Sequence, residues 1–195
     1  MNYYIVKYSG PFSFIKPWTA VRDGETFSQQ FLTPSIVEGI EKKLFPELLN
    51  KQGIHQIKGH RLSYTQLSLQ QEVIQTRGWN NTKKGKQYLF DRPKAIINRG
   101  VFNNPILYLA FESKDNAERA AAQHICLCRN EDILFPDGQI IKASKDQFED
   151  DEEQFPGYEL IFEKSKNSFL VGYHRVTLEP MYGWIKIVGQ PVGMS

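Results

Sequence analysis

Hydrophobic positions gather in short dense clusters separated by polar stretches. Asn2-Tyr3-Tyr4-Ile5-Val6-Lys7-Tyr8 is rich in aromatic and β-branched residues and predicts a strand, which Gly10-Pro11 stops. Residues 12–31 mix Phe12, Phe14, Trp18, Phe27 and Phe31 with Lys16, Arg22 and neutral polar residues, and no period favours one element there. The period then becomes helical. Ile36, Ile40, Leu44 and Leu48 recur every four residues, Val37 widens the stripe, and Lys42 and Lys43 fall on the other face. Thr33 stands at the N-cap and Pro34 at the first helical position. Pro46 is expected to bend or end this helix, and Gly53 to stop any continuation.

Further along, residues 54–76 read as two strands with a turn near Gly59. Residues 77–99 read as an extended basic excursion, and 105–112 as a buried strand. Asp115 to Gln123 predicts a short alanine-rich helix capped by Asp115. Asp137-Gly138 predicts a turn between Ile133-Leu134-Phe135 and Ile140-Ile141, and three more strands are expected near 158–163, 168–179 and 182–188. Two helices among mostly antiparallel strands indicate an α+β fold, with a ferredoxin-like unit as its candidate. One domain is expected over 1–195, with residues 77–104 as an excursion within it.

Composition supports a folded domain. Hydrophobic residues make up 41% of 195 and aromatics 13%, enough for a core without disulfides or metal. The net charge of +2 implies no polyanion partner by itself, but the charge is segregated. Between 77 and 99 stand Arg77, Lys83, Lys84, Lys86, Arg92, Lys94 and Arg99 against Asp91 alone. From Asp146 to Glu153 stand Asp146, Glu149, Asp150, Asp151, Glu152 and Glu153 against no base. Cys126 and Cys128 are the only cysteines, and on a strand their Cα atoms would be about 6.6 Å apart. That pair is no secreted framework, so a reducing cytoplasm is expected. The N-terminus has no signal-peptide pattern and no run is apolar enough to span a bilayer, so no membrane association is expected.

Clustered cations with Trp79 and Tyr88 suit a nucleic-acid strand, because phosphates reward Lys and Arg and bases stack on rings; a solvated hairpin with ordinary surface charge is the alternative. His124, Cys126 and Cys128 alternate like one strand face, which would place ligands in a row rather than around a metal, so small buried residues account for them better. His60-Arg61 and His174-Arg175 could each supply an acid–base group and a cation for RNA cleavage. Nothing local fixes either pair beside a substrate. The run Glu149-Asp150-Asp151-Glu152-Glu153 reads as a solvated loop. Phosphate-binding glycine motifs and the nucleophile-elbow motif are absent, which argues against nucleotide-cofactor enzymes and serine hydrolases.

Several motifs together resemble the 5′-handle-binding subunit of type I Cascade, the CRISPR-associated family five of the RAMP superfamily. They are Tyr8-Ser9-Gly10-Pro11 with Phe14, then Leu32-Thr33-Pro34-Ser35 with Ile36, Gly39 and Ile40, and later Leu127-Cys128-Arg129-Asn130-Glu131-Asp132 before Phe135-Pro136-Asp137. The resemblance implies a ferredoxin-like (RRM-like) palm with a basic thumb hairpin around 77–99. It implies a subunit that caps the guide RNA's 5′ handle, contacts the Cascade backbone and large subunits, and meets target DNA through the complex. The RNA-contact set is then Lys16, Trp18, Arg22, Arg77, Trp79, Lys83, Lys84, Lys86, Arg92, Lys94, Arg99 and Arg129, with Gly10, Pro11, Thr33, Pro34 and Ser35 as structural motif. No catalytic residue, metal or cofactor is expected. The sequence departs from the family at Cys128, where a glycine is usual, and Gly183, Gly189 and Gly193 form no glycine-rich loop. One branch cleaves guide precursor with a tyrosine and a lysine–histidine pair. Here the helix opens with Ser35 and no Lys-His dipeptide exists, so a non-catalytic member is expected, with a metal-independent endoribonuclease as the alternative.

Overall fold

The computed structural model of the protein describes residues 1–17, 24–174 and 177–193. Strand β1 (Asn2–Ser9) is followed by two short strands, β2 (Phe12–Ser13) and β3 (Glu25–Phe27), then helix α1 (Pro34–Leu44). The helix starts as expected, with Thr33 in the extended N-cap conformation and Pro34 at the first position. It ends before Pro46, which opens a single 3-10 turn, Pro46–Leu48. Strands β4 (Ile57–Ser63) and β5 (Gln66–Gln75) follow, then β6 (Asn80–Lys84), β7 (Gln87–Asp91), β8 (Lys94–Asn103) and β9 (Ile106–Phe111). Helix α2 (Lys114–Ala121) leads to β10 (Ile125–Cys126), β11 (Ile133–Ser144) and helix α3 (Lys145–Asp150). The chain closes with β12 (Gly157–Ile161), β13 (Phe169–Tyr173) and β14 (Pro180–Val188).

These elements form an α+β molecule with mostly antiparallel sheets. An eight-stranded sheet has the order β10-β11-β1-β9-β4-β12-β14-β13. Its middle is built by the succession β1, α1, β4, β9, α2, β11, whose strands lie in space as β11-β1-β9-β4 with every neighbour antiparallel. The central strands are buried on both faces, which explains the continuous apolar run of β9. Val6, Tyr8, Leu107 and Leu109 join α1 and α2 in one core. Tyr3, Ile5, Tyr108 and Ala110 pack on the other face with Phe148 of α3 and Phe155.

Several local expectations are corrected. There are three α-helices among the described residues rather than two. The acidic run does not form a loop throughout: Ser144 and Gln147 make a capping box that starts α3, and Glu149 lies inside it. Ser113, not Asp115, caps α2, accepting the Asn116 amide at 3.5 Å. The Asp137-Gly138 turn is instead a bulge in one continuous strand, because Val6 pairs Ile140 and Tyr8 pairs Pro136. Gly59 lies within β4 at a register shift; the connection to β5 comes at Tyr64-Thr65.

Strands β5 and β8 leave this body as a long antiparallel ribbon of ten consecutive pairs, Gln66↔Asn103 to Gln75↔Lys94. At about 3.4 Å per residue the paired stretch extends about 30 Å. β2 and β3 pair with the other edge of β8 near its body end, while β6 and β7 form a separate two-stranded hairpin beyond it.

Candidate nucleic-acid interface

The turn of the outer hairpin follows from Lys84-Gly85-Lys86-Gln87. Gly85 has φ +63, which suits the first central position of a two-residue hairpin loop, and Lys84 pairs with Gln87. That pairing fixes the rest of the register: Lys83↔Tyr88, Thr82↔Leu89, Asn81↔Phe90 and Asn80↔Asp91. Every residue of both strands is exposed. Side chains alternate across the hairpin, so Asn81, Lys83, Tyr88 and Phe90 share one face. One step beyond the last pair the Arg92 guanidinium lies over Trp79, 4.4 Å from its ring centre. The Lys83 ammonium lies 5.6 Å from the ring centre of Tyr88. Such exposed contacts contribute roughly 0.5–1 kcal/mol each, enough to orient rings but not to bury them.

From Arg77 to Lys94 the tip carries six cations against one acid. Among the described residues none of these six forms an ion pair, and their charge faces solvent. An exposed arm with unpaired cations and flat rings can hold phosphates by charge and bases by stacking.

At the body end of the ribbon the chemistry differs. Arg99 and Arg129 both stack on Phe14, at 5.5 and 5.3 Å. Both also reach Glu72 of β5, Arg99 at 3.4 Å and Arg129 at 4.0 Å. Arg129 is further clamped by Asp132, which is fully buried and accepts from Nε at 2.8 Å, from Nη2 at 2.7 Å and from the Arg129 amide at 3.0 Å. The hydrogen bond to Asp132 raises the Arg129 pKa. The motif Arg129-Asn130-Glu131-Asp132 therefore braces its own loop against the root of the ribbon. Gly10 lies in contact with the same region: a Cβ there would come within 2.6 Å of the Ile133 carbonyl oxygen and 2.7 Å of Leu134.

The sequence-derived candidates thus divide. Arg77, Trp79, Lys83, Lys84, Lys86, Arg92 and Lys94 lie at or beside the tip. Arg99 and Arg129 meet each other's partners at the root. Lys16 is exposed on the segment after β2, and Trp18 and Arg22 lie outside the described residues. Thr33 is buried and its hydroxyl meets that of Ser35 at 3.0 Å. Reasoning on the sequence missed Phe90, whose place on the ring-bearing face follows only once the hairpin is registered about Gly85. It also missed Phe14 and Glu72 as the shared seat of the two root arginines.

His60 and His174 lie in different settings. His60 is buried in β4; burial, with the neighbouring Arg61 charge, pushes its pKa down to about 3, so the ring is neutral. Glu159 is 3.8 Å from its Nδ1, but that carboxylate is already bound by the Arg61 guanidinium and the His60 amide. His174 borders a cleft of about 590 Å³ with Thr33, Ser35, Lys42, Tyr173 and Met181, and its Nδ1 accepts the Thr177 amide at 3.1 Å. The expectation that His124, Cys126 and Cys128 are small buried residues on one strand face is corrected: His124 and Cys128 are exposed, Cys126 is half-buried, and the strand stops at Cys126. No group of three metal-ligating side chains is found among the described residues. No described helix is long and apolar enough to cross a membrane.

No protein-family model matches the sequence, and no curated protein matches it. Among solved structures, a chain described as a CRISPR RNA-guided surveillance complex is similar in fold, with a TM-score of 0.50 and 10% identity over 97% of this chain and 92% of that one.

Proposed function

We propose that this chain is a non-catalytic, RNA-binding subunit of a type I CRISPR effector, holding the 5′ handle of the guide RNA. The observation that carries this reading is the basic, ring-bearing tip on a ribbon projecting from an α+β body. The β1-α1-β4-β9-α2-β11 succession with its interleaved strand order reads as a ferredoxin-like core of the RAMP kind. The fold likeness to a chain of an RNA-guided surveillance complex supports the same assignment. In this reading the tip cations contact handle phosphates, and Arg99 and Arg129 set the angle of the arm. Backbone and large subunits of the effector are the partners, target DNA is met through them, and the cytoplasm is the place of action.

Absence of catalysis is part of the proposal. His60 is enclosed and neutral, and among the described residues no general acid is brought beside it that RNA could reach. Incubation of the chain with repeat-containing precursor RNA in EDTA is expected to leave the RNA intact; discrete fragments abolished by His174→Ala would establish an endoribonuclease instead.

The binding test is the salt dependence of affinity for repeat-derived single-stranded RNA. Each lost phosphate contact lowers the slope of log K against log salt by about 0.7. Replacing Lys83, Lys84 and Lys86 together by Gln is expected to reduce the slope by about 2. An unchanged slope would remove the tip from the interface.

A further inference from the structure

We propose that one face of the hairpin tip is a three-rung stacking ladder that accepts unpaired bases of a single strand and rejects a closed duplex. The inference rests on the RNA-binding reading above and adds what form of nucleic acid the tip takes. The rungs are Trp79 with Arg92, Asn81 with Phe90, and Lys83 with Tyr88. Each rung joins one aromatic ring to one N–H-bearing side chain. Trp79 is 58% exposed, Phe90 64% and Tyr88 55%, so all three rings are open to a ligand. The opposite face holds Asn80, Asp91, Thr82, Leu89, Lys84 and Gln87, with no ring and with the tip's one acid. Tyr88 and Phe90 therefore share one face, with Trp79 one step beyond the last pair under the Arg92 guanidinium.

Spacing selects the ligand. Successive rungs are two residues apart along a strand, about 6.8 Å. A stacked nucleic-acid strand repeats at about 3.4 Å per nucleotide. The ladder spacing is twice that value, which leaves room for one base beside each ring when the bases are drawn apart. A duplex keeps its bases stacked on each other at the shorter repeat and offers a flat face only at its two ends, too few for three rungs. Because every base has such a face, the ladder tolerates sequence. The donor on each rung lies within reach of the backbone of the same nucleotide, so stacking and phosphate contact are made together.

The test uses the full chain and a mixed-sequence 12-nucleotide RNA carrying a fluorescent purine analogue, as a single strand and as its blunt duplex. The expected result is fluorescence quenching and affinity at least about tenfold higher for the single strand. Trp79→Ala, Tyr88→Ala and Phe90→Ala each weaken binding about fivefold or more and reduce the quench. Leu89→Ala, on the opposite face, changes neither. Tyr88→Phe keeps the ring, preserves the quench and separates loss of stacking from loss of the hairpin. Equal affinity for duplex, or an equal effect of Leu89→Ala, overturns the ladder. If the three-lysine variant loses affinity while ring variants do not, the ladder alone falls. If neither set matters, the RNA-binding reading of the tip falls with it.

Discussion

Glu41 faces inward from α1 with no exposure, and its carboxylate accepts the consecutive amides of His55, Gln56 and Ile57 at 2.5–3.0 Å. Those amides lead into β4, whose first residue is Ile57, so one side chain ties the helix to the sheet. Glu41→Ala strands three buried or half-buried donors and is expected to cost about 3 kcal/mol or more, read from the urea midpoint. A midpoint within experimental error of the parent would contradict this. His60 gives the fold an acid limit. Its folded pKa of about 3 lies far below its ordinary 6.5, so the unfolded chain takes up the proton first. Stability is then full above about pH 6.5 and declines as pH falls toward 3. Glu149 adds a loss at lower pH: burial alone would raise its pKa, but hydrogen bonding to Lys186 and the charges of Lys186, Arg61 and Lys145 outweigh it and hold the value low. Melting temperature is expected to drop between pH 7 and pH 5, and His60→Gln to flatten that drop; a flat parental profile would refute the assignment. The helix start at Thr33-Pro34 was legible in the sequence because a proline at the first position is a local signal, although the Thr33 hydroxyl meets Ser35 and caps no amide. Arg61 with Glu159 and Glu149 was not, since those partners lie 98 and 88 positions away.

Elements were legible where period and breaker agreed. Helix α1 shows an apolar stripe, a proline start and a proline stop, and it forms where those signals place it. The acidic run misled because like charges suggest a loop, whereas Phe148 anchors that segment under the sheet and basic partners take up Glu149. Strand β11 misled because Asp-Gly is a turn signal that a bulge also uses. The ribbon's root is the element whose rigidity has most consequence for the tip. Asp132→Ala would leave the half-buried Arg129 without its bidentate partner, and a cost of about 2–3 kcal/mol is expected. For a chain of this size that lowers the melting temperature by about 5–10 °C. Hydrogen exchange should rise at β5 and β8 beside Glu72 and Arg99 and stay unchanged in β9. Faster exchange spread evenly over the sheet would show that the loop braces the body rather than the arm.

At the scale of the whole molecule, two cores on opposite faces of one sheet make a rigid platform, and the ribbon carries a basic tip away from it. The α+β class was readable from element order, and the segregation of cations was readable from charge alone. The length of the arm, its pairing with β2 and β3, and the one-sided placement of its rings depend on register, which composition does not encode. Photocrosslinking of the full chain to handle-derived RNA, with the adducts mapped by mass spectrometry, addresses the central claim directly. Adducts concentrated between Arg77 and Lys94, with Trp79, Tyr88 or Phe90 among them, are the predicted result. Adducts confined to the eight-stranded sheet and its helices, with an unmodified tip, would contradict it.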